Sequence, residues 1–181
     1  MESLGRRIAM PTVRRIVVGI DGSLGSLQAL RYATDEARRR DVPLLAVLAW
    51  IPPGGDISGR RPASPPYLHK LWRETACEQL RIAFNEGLGG IPVDLDVELH
   101  VERGEAGQVL VDIANQPDDL LVIGTGRRHG LGRVFRCPVG RYCLAHARCP
   151  VLAIPPSALM EEMGHGLRSW HLRRRALIPD L

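Results

Sequence analysis

Between Leu120 and Gly140 the chain reads LLVIGTGRRHGLGRVFRCPVG. An apolar run passes into a segment of glycines and arginines with no lysine and no acidic residue, and a proline then opens what reads as a helix. Glycine lets a ligand approach the backbone closely, and arginine meets phosphate or carboxylate with a planar fork of donors. The chemistry on offer is anion binding by Arg127, Arg128, Arg133 and Arg136, with Gly124, Gly126 and Gly130 between or before them. A solvated surface loop is the plainer alternative for the same arginines. The second candidate is Asp21, which follows the first apolar run in GIDGS. Its carboxylate can accept a bond from a ribose hydroxyl, hold a metal through solvent, or cap the helix that follows through Gly22 and Ser23.

Other phosphate and catalytic patterns are missing. No glycine stands directly before Lys70, the one lysine of the chain, so G-x-x-x-x-G-K-[ST] is absent. GIDGSLG does not fit the dinucleotide fingerprint G-x-G-x-x-G, and no G-x-S-x-G elbow presents a nucleophile. His69, His100, His129 and His146 are scattered, with nothing in the sequence linking them to a serine or cysteine. The four cysteines, Cys77, Cys137, Cys143 and Cys149, form no C-x-x-C pair and read as small apolar residues in a reducing compartment. The chain is not expected to be an enzyme or to hold a metal.

The elements that must position these groups follow from periodicity. A chain of 181 residues with 45% apolar and 24% charged residues suits one well-buried domain. Ile16–Ile20, Leu44–Trp50 and the run through Leu120–Gly124 are apolar on both faces, as in a buried parallel sheet, and Val151–Ile154 is an apolar run at the end of the topology, an edge that invites pairing. Val93–Val101 alternates and reads as an edge strand with one exposed face. Between them lie four helical stretches. The first is capped by Ser23 or Ser26 and buries Leu27, Leu30, Ala33 and Ala37. The second runs from Tyr67 to about Leu88, with Leu71, Ala76, Leu80, Ala83 and Phe84 toward the sheet. A short one ends before Pro117, and the last has Pro138 in its first turn. Strict alternation of five strands with four helices predicts an open α/β parallel sheet with helices on both faces. In such a sheet ligands bind at the carboxyl ends of the strands, where Asp21, Gly124 and the pair Ala49 and Trp50 emerge. Gly19 and Gly22 would give a ligand access to the backbone there, and Trp50 is either the wall of a base pocket or ordinary core.

RRIVVGIDGS, ALRYATDEARRR, LLAVLAW, ERGEAGQVLVDIA, DLLVIGTGRRHG and CPVLAIP together resemble the universal stress protein family over roughly Val13 to Pro155. The resemblance implies a Rossmann-like fold of the adenine nucleotide alpha hydrolase type, with strand order 3-2-1-4-5, and a cytoplasmic homodimer paired through the last strand. It also divides the chain into an N-terminal extension (1–12), the domain (13–156) and a basic tail (157–181). One branch of the family binds ATP with G-x-x-G-x9-G-[ST] after the fourth strand and an Asp after the first. This chain keeps Asp21 and Gly124, but the second glycine position falls on Arg127, the third on Cys137 and the hydroxyl position on Pro138. Carried over residue by residue, the implied site is Gly19, Asp21, Ala49, Gly124, Arg127, Gly130, Cys137, Pro138 and Val139.

Two alternatives stay open. In one, the protein regulates by dimerisation and contact with a partner protein, with ATP binding altered or lost. In the other, ATP or another adenine nucleotide, or a simpler anion, is held by Asp21 and the arginine loop. A phosphate-ester hydrolase has no placed nucleophile or base. No run reaches membrane-spanning length. Nucleic acid is not an expected partner, because the tail carries four arginines against Glu161, Glu162 and Asp180, a net of +1.

Overall fold

The computed structural model describes residues 12–52, 65–125 and 138–157. Five strands, β1 (Arg15–Gly19), β2 (Leu44–Trp50), β3 (Val97–Arg103), β4 (Asp119–Gly124) and β5 (Val151–Ile154), form one sheet in the order 3-2-1-4-5. Every pairing is parallel, with Ile16 opposite Leu44 and Leu120, and Leu121 opposite Val151. Helices α1 (Leu24–Arg40), α2 (Pro66–Leu88), α3 (Ala106–Ile113) and α4 (Pro138–His146) connect the strands. The fold class and the strand order are those expected.

Successive side chains of a strand point to opposite faces, so each buried strand feeds two cores. Ile16, Val18, Leu44, Ala46, Leu48, Leu120 and Val122 pack under α1 and α2 with Leu30, Ala33, Leu80 and Phe84. Val17, Leu45, Val47, Leu121 and Ile123 pack on the other side with Val109 and Leu110 of α3 and Cys143 of α4. This is why β1, β2 and β4 read as unbroken apolar runs. Cys143 and Cys149 are buried within that second core, and burial pushes the Cys149 thiol above its ordinary value.

Two expectations shift. β3 begins at Val97, not Val93, because its partner β2 begins at Leu44, opposite Val97. The residues before it turn away. Val93 is fully exposed, and Asp94 accepts from Arg38 at the end of α1 at 2.7 and 3.0 Å. Leu71, expected to face the sheet, is half exposed. At about 100° per residue it lies half a turn around the helix from Leu80, which is fully buried.

At the amino ends of β1 and β4 sits an ion pair that the sequence does not announce. Asp119 is 2% exposed and accepts from Arg15 through Nε and Nη2, each at 2.8 Å. The same carboxylate takes the amide of Gln116 at 3.1 Å, while Arg15 Nη2 also donates to the Ile113 carbonyl at 3.1 Å. The pair fixes the end of α3 to the two central strands. The carboxylate raises the Arg15 pKa further above its ordinary value.

Candidate nucleotide crevice at the carboxyl edge

β1 lies between β2 and β4, with Val18 opposite Val122, so Asp21 and Gly124 leave the sheet at the same edge. Beyond Gly19 the chain turns through Gly22, whose φ of 73° is the left-handed region that glycine tolerates. Ser23 is the N-cap of α1: its hydroxyl accepts the Ser26 amide at 3.2 Å. Asp21 is exposed, and its Oδ1 accepts the Ser23 amide at 2.9 Å. Asp21 thus braces the N-cap residue through its amide, while the cap itself is Ser23. This bond engages one carboxylate oxygen and leaves the group at the mouth of the crevice.

The glycines have different neighbours. A Cβ on Gly19 would lie 2.8 Å from Leu110 Cδ1, so α3 fills the space beside it and a side chain, not a ligand, makes the close approach. A Cβ on Gly124 would lie 2.3 Å from the carbonyl carbon of Gly25, and one on Gly25 would lie 2.4 Å from the Thr125 oxygen. Here two backbones touch: the first turn of α1 is seated directly on the end of β4. Gly25 was not singled out from the sequence. Its signal is a second glycine in the first helical turn of a chain whose fourth strand also ends on glycine. Thr125 then ties the edge to β5, with its amide 2.8 Å and its hydroxyl 3.3 Å from the Ile154 oxygen.

Ala49 is half-buried at the end of β2 and packs toward the α3 side. Pro138 opens α4, so the first helical position presents no N–H, and the side chain is exposed. Val139 packs on the second core and Gly140 is buried. Arg127, Gly130 and Cys137 lie outside the described residues, as do Arg128, Arg133, Arg136 and all of the tail beyond Ser157. Among the described residues no three His, Cys, Asp or Glu side chains gather as a metal site. No helix described is long and apolar enough to cross a membrane.

Trp50 is neither simple core nor part of this crevice's glycine face. It lies half-buried on the α2 side, its ring centroid 6.5 Å from that of His69 and 6.4 Å from that of Trp72. His69 meets Trp72 edge-on at 5.4 Å, and its Nδ1 is 3.4 Å from Arg103 Nη1. His69 thus sits with Trp50 and Arg103, while His100 Nε2 lies 3.2 Å from Glu102 Oε2.

Residues 12–155 match the family model described as the Universal stress protein family. A universal stress protein of Mycolicibacterium smegmatis is 32% identical over 144 residues, which are 78% of this chain and 45% of that protein. The chain spans about half the length of the curated relatives it matches. Among solved structures, the universal stress protein UspA from Lactobacillus plantarum superposes with a TM-score of 0.59 at 23% identity, covering 79% of this chain and 98% of that one. A universal stress protein from Archaeoglobus fulgidus, solved in complex with dAMP, superposes at 0.50 with 21% identity over 80% of this chain and 99% of that one.

Proposed function

The chain belongs to the universal stress protein family, and from that premise we propose that it is a regulatory, non-catalytic member whose nucleotide crevice is altered. It acts in this reading through dimerisation and contact with a partner protein. The observation that carries the proposal is Pro138 at the first position of α4. A helix start binds phosphate through its bare amides, and proline withdraws one of them. The hydroxyl that a serine or threonine would bring is also missing. Arg127 and Cys137 stand where the ATP-binding pattern places glycine, adding side chains where a bare backbone is wanted.

The reading predicts weak ATP binding, with a dissociation constant above about 0.1 mM, or about 5 kcal/mol. Calorimetry on the full chain tests it, and micromolar binding would refute it. Restoring the pattern with Arg127→Gly, Cys137→Gly and Pro138→Ser is expected to tighten ATP at least about tenfold, or about 1.4 kcal/mol. The second reading rests on Asp21, whose exposed carboxylate gives one oxygen to the helix cap and sits at the crevice mouth. There the arginines replace the lost backbone donors and the ligand is an adenine nucleotide, as in the relative solved with dAMP. If so, Arg127→Gly alone weakens nucleotide or phosphate binding instead of improving it.

The dimer is proposed to form through β5. This strand is at an edge of the sheet, and Val151, Leu152 and Ala153 remain only partly covered by their own chain. An apolar edge with unpaired backbone groups is a template for a second copy. Light scattering at micromolar concentration is expected to report twice the 20.0 kDa chain mass. A monomer would end this part of the proposal.

A further inference from the structure

The sequence of α2 places His69, Arg73, Cys77 and Arg81 four residues apart, one stripe along a helix. The fold lays that stripe beside the edge strand β3. Between them is a cavity of about 380 Å³, at the small end of the range for ligand pockets. Its apolar floor is Leu99 and Val101 over the fully buried Leu80, and Trp50 also lines it. Its walls carry Arg73, Arg81 and Arg103 against a single lining carboxylate, Glu102, which is itself 3.2 Å from His100. Glu78 stands 3.7 Å from Arg81, but both side chains are more than 60% exposed, so the pairing neutralises little. Arg73 makes no ion pair among the described residues.

We infer that this cavity is a second ligand site, distinct from the nucleotide crevice, for a small aromatic carboxylate. A flat apolar body fits the floor and stacks at Trp50, and a planar carboxylate matches a guanidinium fork. Arg73, which has no ion pair among the described residues, favours an anionic over a neutral or cationic occupant. Cys77, half-buried in the lining, makes the site observable without reference to any activity. The site does not depend on whether the crevice at Asp21 binds ATP.

The probe is 1-naphthoate, titrated by calorimetry against the full chain, with 1-naphthamide as its neutral counterpart. Saturable binding below about 1 mM is expected, at least about tenfold weaker for the amide. Arg73→Gln is expected to weaken naphthoate by a similar factor, and as an exposed substitution it leaves the fold intact. Naphthoate is also expected to slow alkylation of Cys77 by iodoacetamide, followed by peptide mass spectrometry. Equal affinity for the amide, no effect of Arg73→Gln, or unprotected Cys77 would each overturn the inference. So would displacement of naphthoate by saturating ATP, which would move the ligand to the crevice.

Discussion

Arg15→Leu is expected to lower the stability of the domain by about 3–5 kcal/mol, the cost of leaving one member of a buried ion pair without its partner. Asp119 is 2% exposed and has Arg15 as its bidentate partner, so the variant leaves a carboxylate in the sheet with only the Gln116 amide. The reverse change, Asp119→Leu, is expected to cost less. The Arg15 side chain is 34% exposed and can turn its charge to water. Arg15→Leu combined with Asp119→Leu recovers part of the loss, because two apolar side chains side by side need no partner. Urea denaturation of the three variants measures this order. If Arg15→Leu costs less than about 1 kcal/mol, the pair is solvated and the argument fails.

Gly124→Ala is expected to cost about 3 kcal/mol, at the upper end of what overpacking does. The added methyl meets the Gly25 carbonyl carbon at 2.3 Å and the Ser26 amide at 2.5 Å. These are backbone atoms in the first turn of a helix and cannot rotate away, so α1 must lift from β4. Gly25→Ala has the mirror problem at the Thr125 oxygen, 2.4 Å away. Gly19→Ala supplies the comparison. Its methyl meets Leu110 Cδ1 at 2.8 Å, the far end of a flexible side chain, and the cost is expected to be below about 1.5 kcal/mol. Thermal unfolding of the three separates the cases, at roughly 2–4 °C per kcal/mol for a domain of this size. Equal losses at Gly19 and Gly124 would show that the α1–β4 contact is not rigid. Because Asp21 and the Ser23 cap precede that turn, any lift of α1 also moves the crevice mouth.

Local pattern was enough for the architecture. The apolar runs at Ile16–Ile20, Leu44–Trp50 and Leu120–Gly124 alternate with helical periodicity, and a parallel strand with a crossover helix has one favoured hand. The start of α1 was legible to within the two serines Ser23 and Ser26, because Ser23 caps locally, through atoms three residues apart. The start of β3 and the outward turn of Leu71 were harder to read. The first depends on where a neighbouring strand begins, and the second on which helical stripe the sheet selects.

The candidate site divides in the same way. That Asp21 and Gly124 belong to one edge follows from the sheet order, and the substitutions at Arg127, Cys137 and Pro138 are visible as residue types. Sequence alone could not say that Gly19 faces Leu110, that Gly25 and Gly124 touch, or that Arg15 meets Asp119 across 104 positions. Nor could it bring Trp50, His69 and Arg103 together from β2, α2 and β3. Periodicity and capping are short-range and leave a mark in neighbouring letters. Contacts between elements depend on how whole strands and helices dock, and for this chain only the tertiary structure decided them.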